Sequence, residues 1–245
     1  MYIAILCGDS ITSKSLFTLS SNTEWAAEKY IKQSLFVVEC KQHYSKRSLL
    51  NQIKHDKSKL ALFIKDAREE EEINEIELKQ NHGTPIKYGQ RIQLRHIFTN
   101  SYITVSTNEI AKGSGTQHVG LSKGSEGAWL RLMPSTEVAK IGDLARYGDS
   151  ILIVSEADED NCYLHSASCS ALHSLEMKEV NTNVLEVNVS VEGSNWRPIK
   201  YADSQAKDTE QSIRIGDMVK LYHLNTKSYL TLSKKDLMWK LMKRL

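Results

Sequence analysis

The chain has 245 residues, of which 40% are hydrophobic and 25% charged, enough to bury a real core in one large or two small domains. Its 32 Lys and Arg nearly balance 30 Asp and Glu, so overall charge gives no pull toward nucleic acid or an anionic membrane, and any basic site must be local. The longest apolar runs, such as Ile151-Leu152-Ile153-Val154, fall far short of the ~18 residues that a helix needs to cross a bilayer.

From the start, Met1 to Leu6 is apolar but has no basic leader and is too short for a signal peptide, so it reads as a first strand. Cys7, Cys40, Cys162 and Cys169 lack the tight pairing that a zinc or redox motif requires, and read as reduced structural thiols of a cytosolic protein. Gly8-Asp9-Ser10-Ile11, running to Leu16-Phe17-Thr18-Leu19, is a degenerate first copy of a hairpin that recurs below. Ser34 to Val38 follows as a closing strand.

The β pattern breaks over Ser45 to His82. Helix formers dominate there, with apolar residues at Leu49, Leu50 and Ile53 and then at Leu60, Phe63 and Ile64, which predicts two helices turning at His55 to Ser58. Ser45 to Arg68 carries seven Lys or Arg against two Asp. A calmodulin-like or otherwise acidic partner, or a membrane surface, would suit it. The competing reading is a helix pair whose apolar side packs on itself while its charges are solvated.

Next comes the clearest signal. YGQRIQLRHIFTNSYITVS from Tyr88 aligns without a gap on IGDMVKLYHLNTKSYLTLS from Ile215, with eight identical positions, among them Gly89 and Gly216, His96 and His223, and Tyr102 and Tyr229. A third copy begins at Tyr147-Gly148-Asp149 and runs to Tyr163-Leu164-His165-Ser166. Alternating apolar residues followed by polar turn residues make each copy a β-hairpin. Gly127 to Leu132 and Gly193 to Pro198 are the corresponding closing strands, and Tyr102, Trp129, Tyr163 and Trp196 are expected to be largely buried. Three hairpin-plus-strand units followed by the start of a fourth point to one threefold closed barrel over residues 1–212. The expected boundary there opens a truncated second unit over 213–245. The basic tail from Lys234 has Leu237, Leu241 and Leu245 at helical spacing and reads as a frayed end.

No site chemistry emerges from the remaining constellations. His96 and His223 recur because the repeat recurs, without the spacing of a metal site. Gly113-Ser114-Gly115 lacks the lysine of a phosphate loop. Asp158-Glu159-Asp160 and Ser166, Ser168 and Ser170 beside Cys169 read as solvated loops, with neither an elbow motif nor a paired base. No catalytic, ligand-binding or metal-binding residue and no cofactor is assigned.

The glycine-headed hairpins, the Glu126-Gly127-Ala128-Trp129 closing strand, Ile141-Gly142-Asp143 and the inserted helical segment together resemble the N-terminal, or suppressor, domain of inositol trisphosphate and ryanodine receptors. The resemblance implies a mainly β fold, a β-trefoil with an inserted helix-turn-helix arm over about 45–82, followed by the beginning of a second trefoil. It also implies a non-catalytic role, coupling ligand binding to the opening of a calcium-release channel through contacts with other channel domains or subunits on the cytosolic face of the endoplasmic reticulum. In that family the ligand's phosphates are held by basic residues that follow this region, so no ligand residue is carried over. The alternatives are a carbohydrate-binding trefoil like those of protein mannosyltransferases, or a shortened paralogue or fragment without activity of its own.

Overall fold

The structure is a computed structural model that describes residues 33–52, 60–110, 117–157, 162–166, 184–201, 211–232 and 239–243. It is mainly β. Strand β1 (Phe36–Cys40) leads into helices α1 (Ser45–Gln52) and α2 (Leu60–Asn81). Then follow β2 (Arg91–His96), β3 (Ser101–Ile110), β4 (Gln117–Ser122), β5 (Leu130–Pro134), β6 (Ile151–Ser155), β7 (Cys162–His165), β8 (Val184–Glu186), β9 (Asn188–Ser190), β10 (Trp196–Lys200), β11 (Met218–His223), β12 (Ser228–Leu232) and β13 (Trp239–Lys243).

Every strand pairing is antiparallel, and six strands form a closed circuit: β1 with β2, β2 with β5, β5 with β6, β6 with β10, β10 with β11, and β11 back to β1. Closure leaves the circuit without a free edge. Alternation places Val219, Leu221 and His223 of β11 inside, where they join Phe36, Ile92, Leu94, Leu130, Ile151, Ile153 and Trp196. Pro198 is tolerated in β10 because that strand's ladder to β6 consists of Trp196 opposite Ile151 alone, so its missing N–H breaks no pairing on that side.

A triangle of backbone hydrogen bonds relates the repeats. Ile86 N–H donates to Ile213 O at 2.8 Å, Ile213 N–H to Ala145 O at 2.8 Å, and Ala145 N–H to Ile86 O at 2.9 Å. Just after each corner stands a glycine with positive φ, 84° at Gly89, 82° at Gly148 and 94° at Gly216, a conformation that costs glycine little. Their N–H groups donate to equivalent carbonyls, Leu132 O at 2.9 Å, Pro198 O at 3.1 Å and Val38 O at 2.7 Å. Those bonds make β1, β5 and β10 the three equivalent closing strands. Two tyrosines tie neighbouring repeats together, Tyr88 Oη donating to Asp149 at 2.9 Å and Tyr147 Oη to Asp217 at 2.6 Å. Ile215 stands where the third would be.

Two expectations are corrected. Residues 213–232 do not open a separate unit, because β11 pairs with both β10 and β1 and closes the same sheet. The tail's helical spacing does not make a helix at 239–243 either. β13 lies between β12 and β8, with Leu241 in register with both Leu230 and Leu185, so pairing along the sheet overrides the local pattern. The degenerate copy at Gly8 lies outside the described residues.

Candidate functional site: the junction of arm and barrel

The helical arm leaves the barrel directly after β1, and each residue from Gln42 to Arg47 is held by a hydrogen bond to a distant residue. At the barrel end, Glu39 is 2% exposed and is the anchor. It accepts Arg95 Nε at 2.5 Å and Tyr102 Oη at 2.8 Å. Gln42 donates from Nε2 to Tyr102 Oη at 2.9 Å and from its backbone N–H to Gln93 Oε1 at 3.0 Å. Gln93, itself buried, donates to Tyr44 Oη at 2.7 Å. Trp129 Nε1 donates to the Gln42 carbonyl at 3.0 Å, and the Lys41 ammonium lies 4.1 Å above its ring. A buried carboxylate would be costly alone, and this network satisfies it.

At the arm end a second carboxylate takes over. The first N–H groups of a helix have no partners within it. Here Glu70 of α2 accepts Lys46 N–H at 2.9 Å, Arg47 N–H at 3.0 Å and Ser45 Oγ at 3.0 Å, while its charge faces the positive end of the α1 dipole. Asn74, one turn on, accepts His43 N–H at 2.7 Å and returns a bond to His43 O at 2.8 Å. The buried face of α2 consists of Ala67, Glu70 and Asn74. The arm is therefore seated on the barrel by polar bonds, with Leu78 packed against the core, while Leu50, Leu60 and Phe63 of its apolar side are half-buried. Leu49, Leu62, Ile73 and Ile76 are exposed.

The electrostatics follow the geometry. Burial alone would raise Glu70, but the N–H groups of Lys46 and Arg47 and the Ser45 hydroxyl outweigh it and hold the carboxyl below the usual range. Burial, helped by the neighbouring Glu39, pushes the Tyr102 phenol well above its ordinary value. Burial raises Tyr44 to about 12.

The residues singled out in the sequence fall elsewhere. His96 and His223 sit buried in equivalent strands, their Nδ1 atoms 3.0 Å from Thr99 Oγ1 and 2.8 Å from Thr226 Oγ1, with the Phe36 and Trp196 rings tilted against them. Among the described residues no group of three or more His, Cys, Asp or Glu is placed to hold a metal ion. Ser166 is buried, and its backbone N–H donates to Ser194 Oγ at 3.3 Å. Residues 113–115, 158–160 and 168–170 lie outside the described residues. Burial raises the Cys40 pKa.

Tyr102 and Trp196 are buried as expected, but Trp129 and Tyr163 are half-buried. The closing-strand equivalence explains Trp129: Leu130, not Trp129, is the counterpart of inward-facing Phe36 and Trp196. Sequence reading missed Glu39, Glu70 and Asn74 altogether. Each looks like an ordinary polar residue of a strand end or a charged helix, and only the fold brings its partners to it.

Among the described residues, no helix is long and apolar enough to cross a membrane. The structure of the yeast (S. cerevisiae) protein O-mannosyltransferase Pmt1-Pmt2 complex bound to the sugar donor aligns with a TM-score of 0.48 at 16% identity, covering 67% of this chain and 26% of that one. The inositol 1,4,5-trisphosphate receptor itr-1 of Caenorhabditis elegans is 28% identical over 219 residues, 89% of this chain. The chain spans 7% of that receptor's length. The family model for the inositol 1,4,5-trisphosphate/ryanodine receptor matches residues 12–197. This chain thus belongs to the inositol 1,4,5-trisphosphate/ryanodine receptor family.

Proposed function

We propose that the chain is a non-catalytic regulatory module of an intracellular calcium-release channel. In this reading the barrel is a β-trefoil, and its arm docks on other domains or subunits on the cytosolic face of the endoplasmic reticulum. Ligand binding in other segments of the channel is thereby coupled to gating. The observation that carries the reading is the seating of the arm: a continuous set of polar bonds runs from Glu39 in the barrel through Gln42 and His43 to Glu70 and Asn74. Such an arm can shift as a unit when a partner binds it, and the shift reaches a strand of the closed circuit. The matched family and the threefold set of backbone bonds support the same reading.

The test is a domain exchange. This chain replaces the matching segment of the C. elegans receptor, and inositol trisphosphate affinity and calcium flux are compared with those of the exchange carrying Glu70→Ala and of a receptor lacking the segment. A regulatory module changes affinity or gating when removed, and the Glu70 variant moves partway toward the deletion. If all three channels behave identically, the proposal fails. The ligand's phosphates are assigned to other segments, so calorimetry of this chain alone with inositol trisphosphate should show no saturable submicromolar binding.

A further inference from the structure

At the foot of the arm, one row of the barrel carries three cations around a single shared carboxylate. Cys40, Ile92 and Leu130 stand opposite one another on β1, β2 and β5, and all three are buried. Because side chains alternate along a strand, the adjoining row of Lys41, Arg91 and Arg131 faces outward. Arg91 and Arg131 are directly opposite each other. Lys41 and Arg91 meet over one ring, with Lys41 Nζ 4.1 Å and Arg91 Cζ 6.0 Å from the Trp129 centroid. Like charges facing each other across strands are unfavourable. Glu156, its side chain 11% exposed, relieves part of this by pairing with both arginines, Arg131 Nε lying 2.6 Å away. The carboxylates near Cys40 are engaged elsewhere: Glu39 with Arg95 and Tyr102, and Glu77 beside His43 at 3.6 Å. Neither Lys41 nor Glu126, on the turn before Trp129, makes an ion pair among the described residues. Three cations against Glu156 leave the row with an excess of positive charge.

We propose that this row docks an acidic, extended segment of a protein partner. Its carboxylates meet Lys41 and Arg91 as Glu156 already meets Arg91 and Arg131, so the chain holds its own example of the contact. Clustered arginines recognise acidic segments through such charge-assisted bonds. The site puts the acidic partner on the barrel, where the basic run at 45–68 had pointed to the arm itself. An anionic bilayer is a poorer fit. Helix α2 rises beside the row with seven Asp or Glu against three Lys or Arg, and a flat lipid surface would meet those charges as well. A short extended segment reaches the row alone. The inference does not depend on the channel reading, since it uses only the register of three strands and the charges on them.

The test uses the full chain and two fluorescent extended peptides about 12 residues long, alternating serine with glutamate in one and with glutamine in the other. Anisotropy is read at about 20 mM and about 500 mM salt. The glutamate peptide should bind saturably, more weakly at high salt, and the glutamine peptide should not bind. Lys41→Gln with Arg91→Gln should weaken binding by about tenfold. Lys220→Gln with Lys227→Gln removes the same charge from β11 and the turn after it, and should change binding by less than about twofold, which separates the row from net charge. Glu156→Gln takes away the built-in carboxylate and should tighten binding by about threefold. Urea melts show that each variant is folded. Vesicles of phosphatidylcholine with about 30% phosphatidylserine should not bind through the row. Absence of glutamate-peptide binding, equal binding of both peptides, or equal losses in the two double variants would overturn the proposal. So would vesicle binding that Lys41→Gln with Arg91→Gln abolishes, because the row would then belong to lipid. The domain exchange reads gating instead, so either experiment can fail while the other succeeds.

Discussion

Trp196 and His223 stand opposite each other on β10 and β11, with ring centroids 4.7 Å apart, in the same relation that Phe36 bears to His96. Burial beside Trp196, with a smaller contribution from the nearby His165, lowers the His223 pKa from 6.5 to about 4. The folded state therefore holds this imidazole neutral where the unfolded chain would protonate it. Between pH 6.5 and 4 the unfolded state binds more protons, so stability falls as pH drops through that window, by up to about 3 kcal/mol at 1.36 kcal/mol per pKa unit. Denaturant melts of the wild type and of His223→Gln at several pH values check this. The variant should lose most of the slope between pH 6.5 and 4.

Two tryptophans at neighbouring positions of the closing-strand pattern should behave differently. Trp196 is fully buried in the core, and Trp196→Ala should cost about 3–5 kcal/mol. Trp129 is half-buried and contributes one hydrogen bond and cation–π contacts with Lys41 and, more distantly, Arg91, so Trp129→Ala should cost about 1–2 kcal/mol. Equal losses in urea melts would contradict the assignment of Leu130 as the inward residue.

Those two residues also show what could be read from the chain itself. The glycine-headed hairpins were visible because a positive φ and a tight turn restrict the residue allowed, so Gly89, Gly148 and Gly216 leave a repeated mark. Trp129 was misjudged by one position, since an aromatic residue signals burial while the backbone bond that fixes its register does not appear in the sequence. The place of Gly216 was misjudged for a related reason: its N–H reaches Val38, a residue at the far end of the described chain. The arm's helices were foreseen from composition. Its polar seat was not, because Glu70 gains meaning only from N–H groups more than twenty residues away in sequence.

Removing that seat should loosen α1 without melting the barrel. Glu70→Ala is expected to cost about 1–3 kcal/mol locally, read as faster hydrogen exchange of the α1 amides with little change in the main transition. Because the folded Glu70 pKa is depressed, this contribution is present above the unfolded value of 4.5 and is lost as pH falls through the folded value. The α1 amides should therefore lose protection in acid in the wild type but show no such step in the variant.

At the alkaline end the sign reverses. Tyr44 keeps its proton up to about pH 12 in the folded chain, against 10 when unfolded, so its contribution is full below pH 10 and disappears between 10 and 12. Absorbance titration at the tyrosinate band should show a late-ionising class that shrinks in Tyr44→Phe. Tyr102→Phe removes another member of the class, to which Tyr88 also belongs, and leaves Glu39 short of a donor, at a cost of about 1–3 kcal/mol.

The triangle of Ile86, Ala145 and Ile213 bears on how the molecule is made. None of its three bonds is local in sequence, and each corner's N–H is satisfied only by the carbonyl of another corner. A nascent chain emerging from the ribosome can form single hairpins early, but the ring stays open until residue 213 has been delivered, about half the chain's length after the first corner. Until then β1 and β10 expose the edges that β11 later covers. Those two edges are the surfaces through which an unfinished copy would pair with its neighbour on the same polysome.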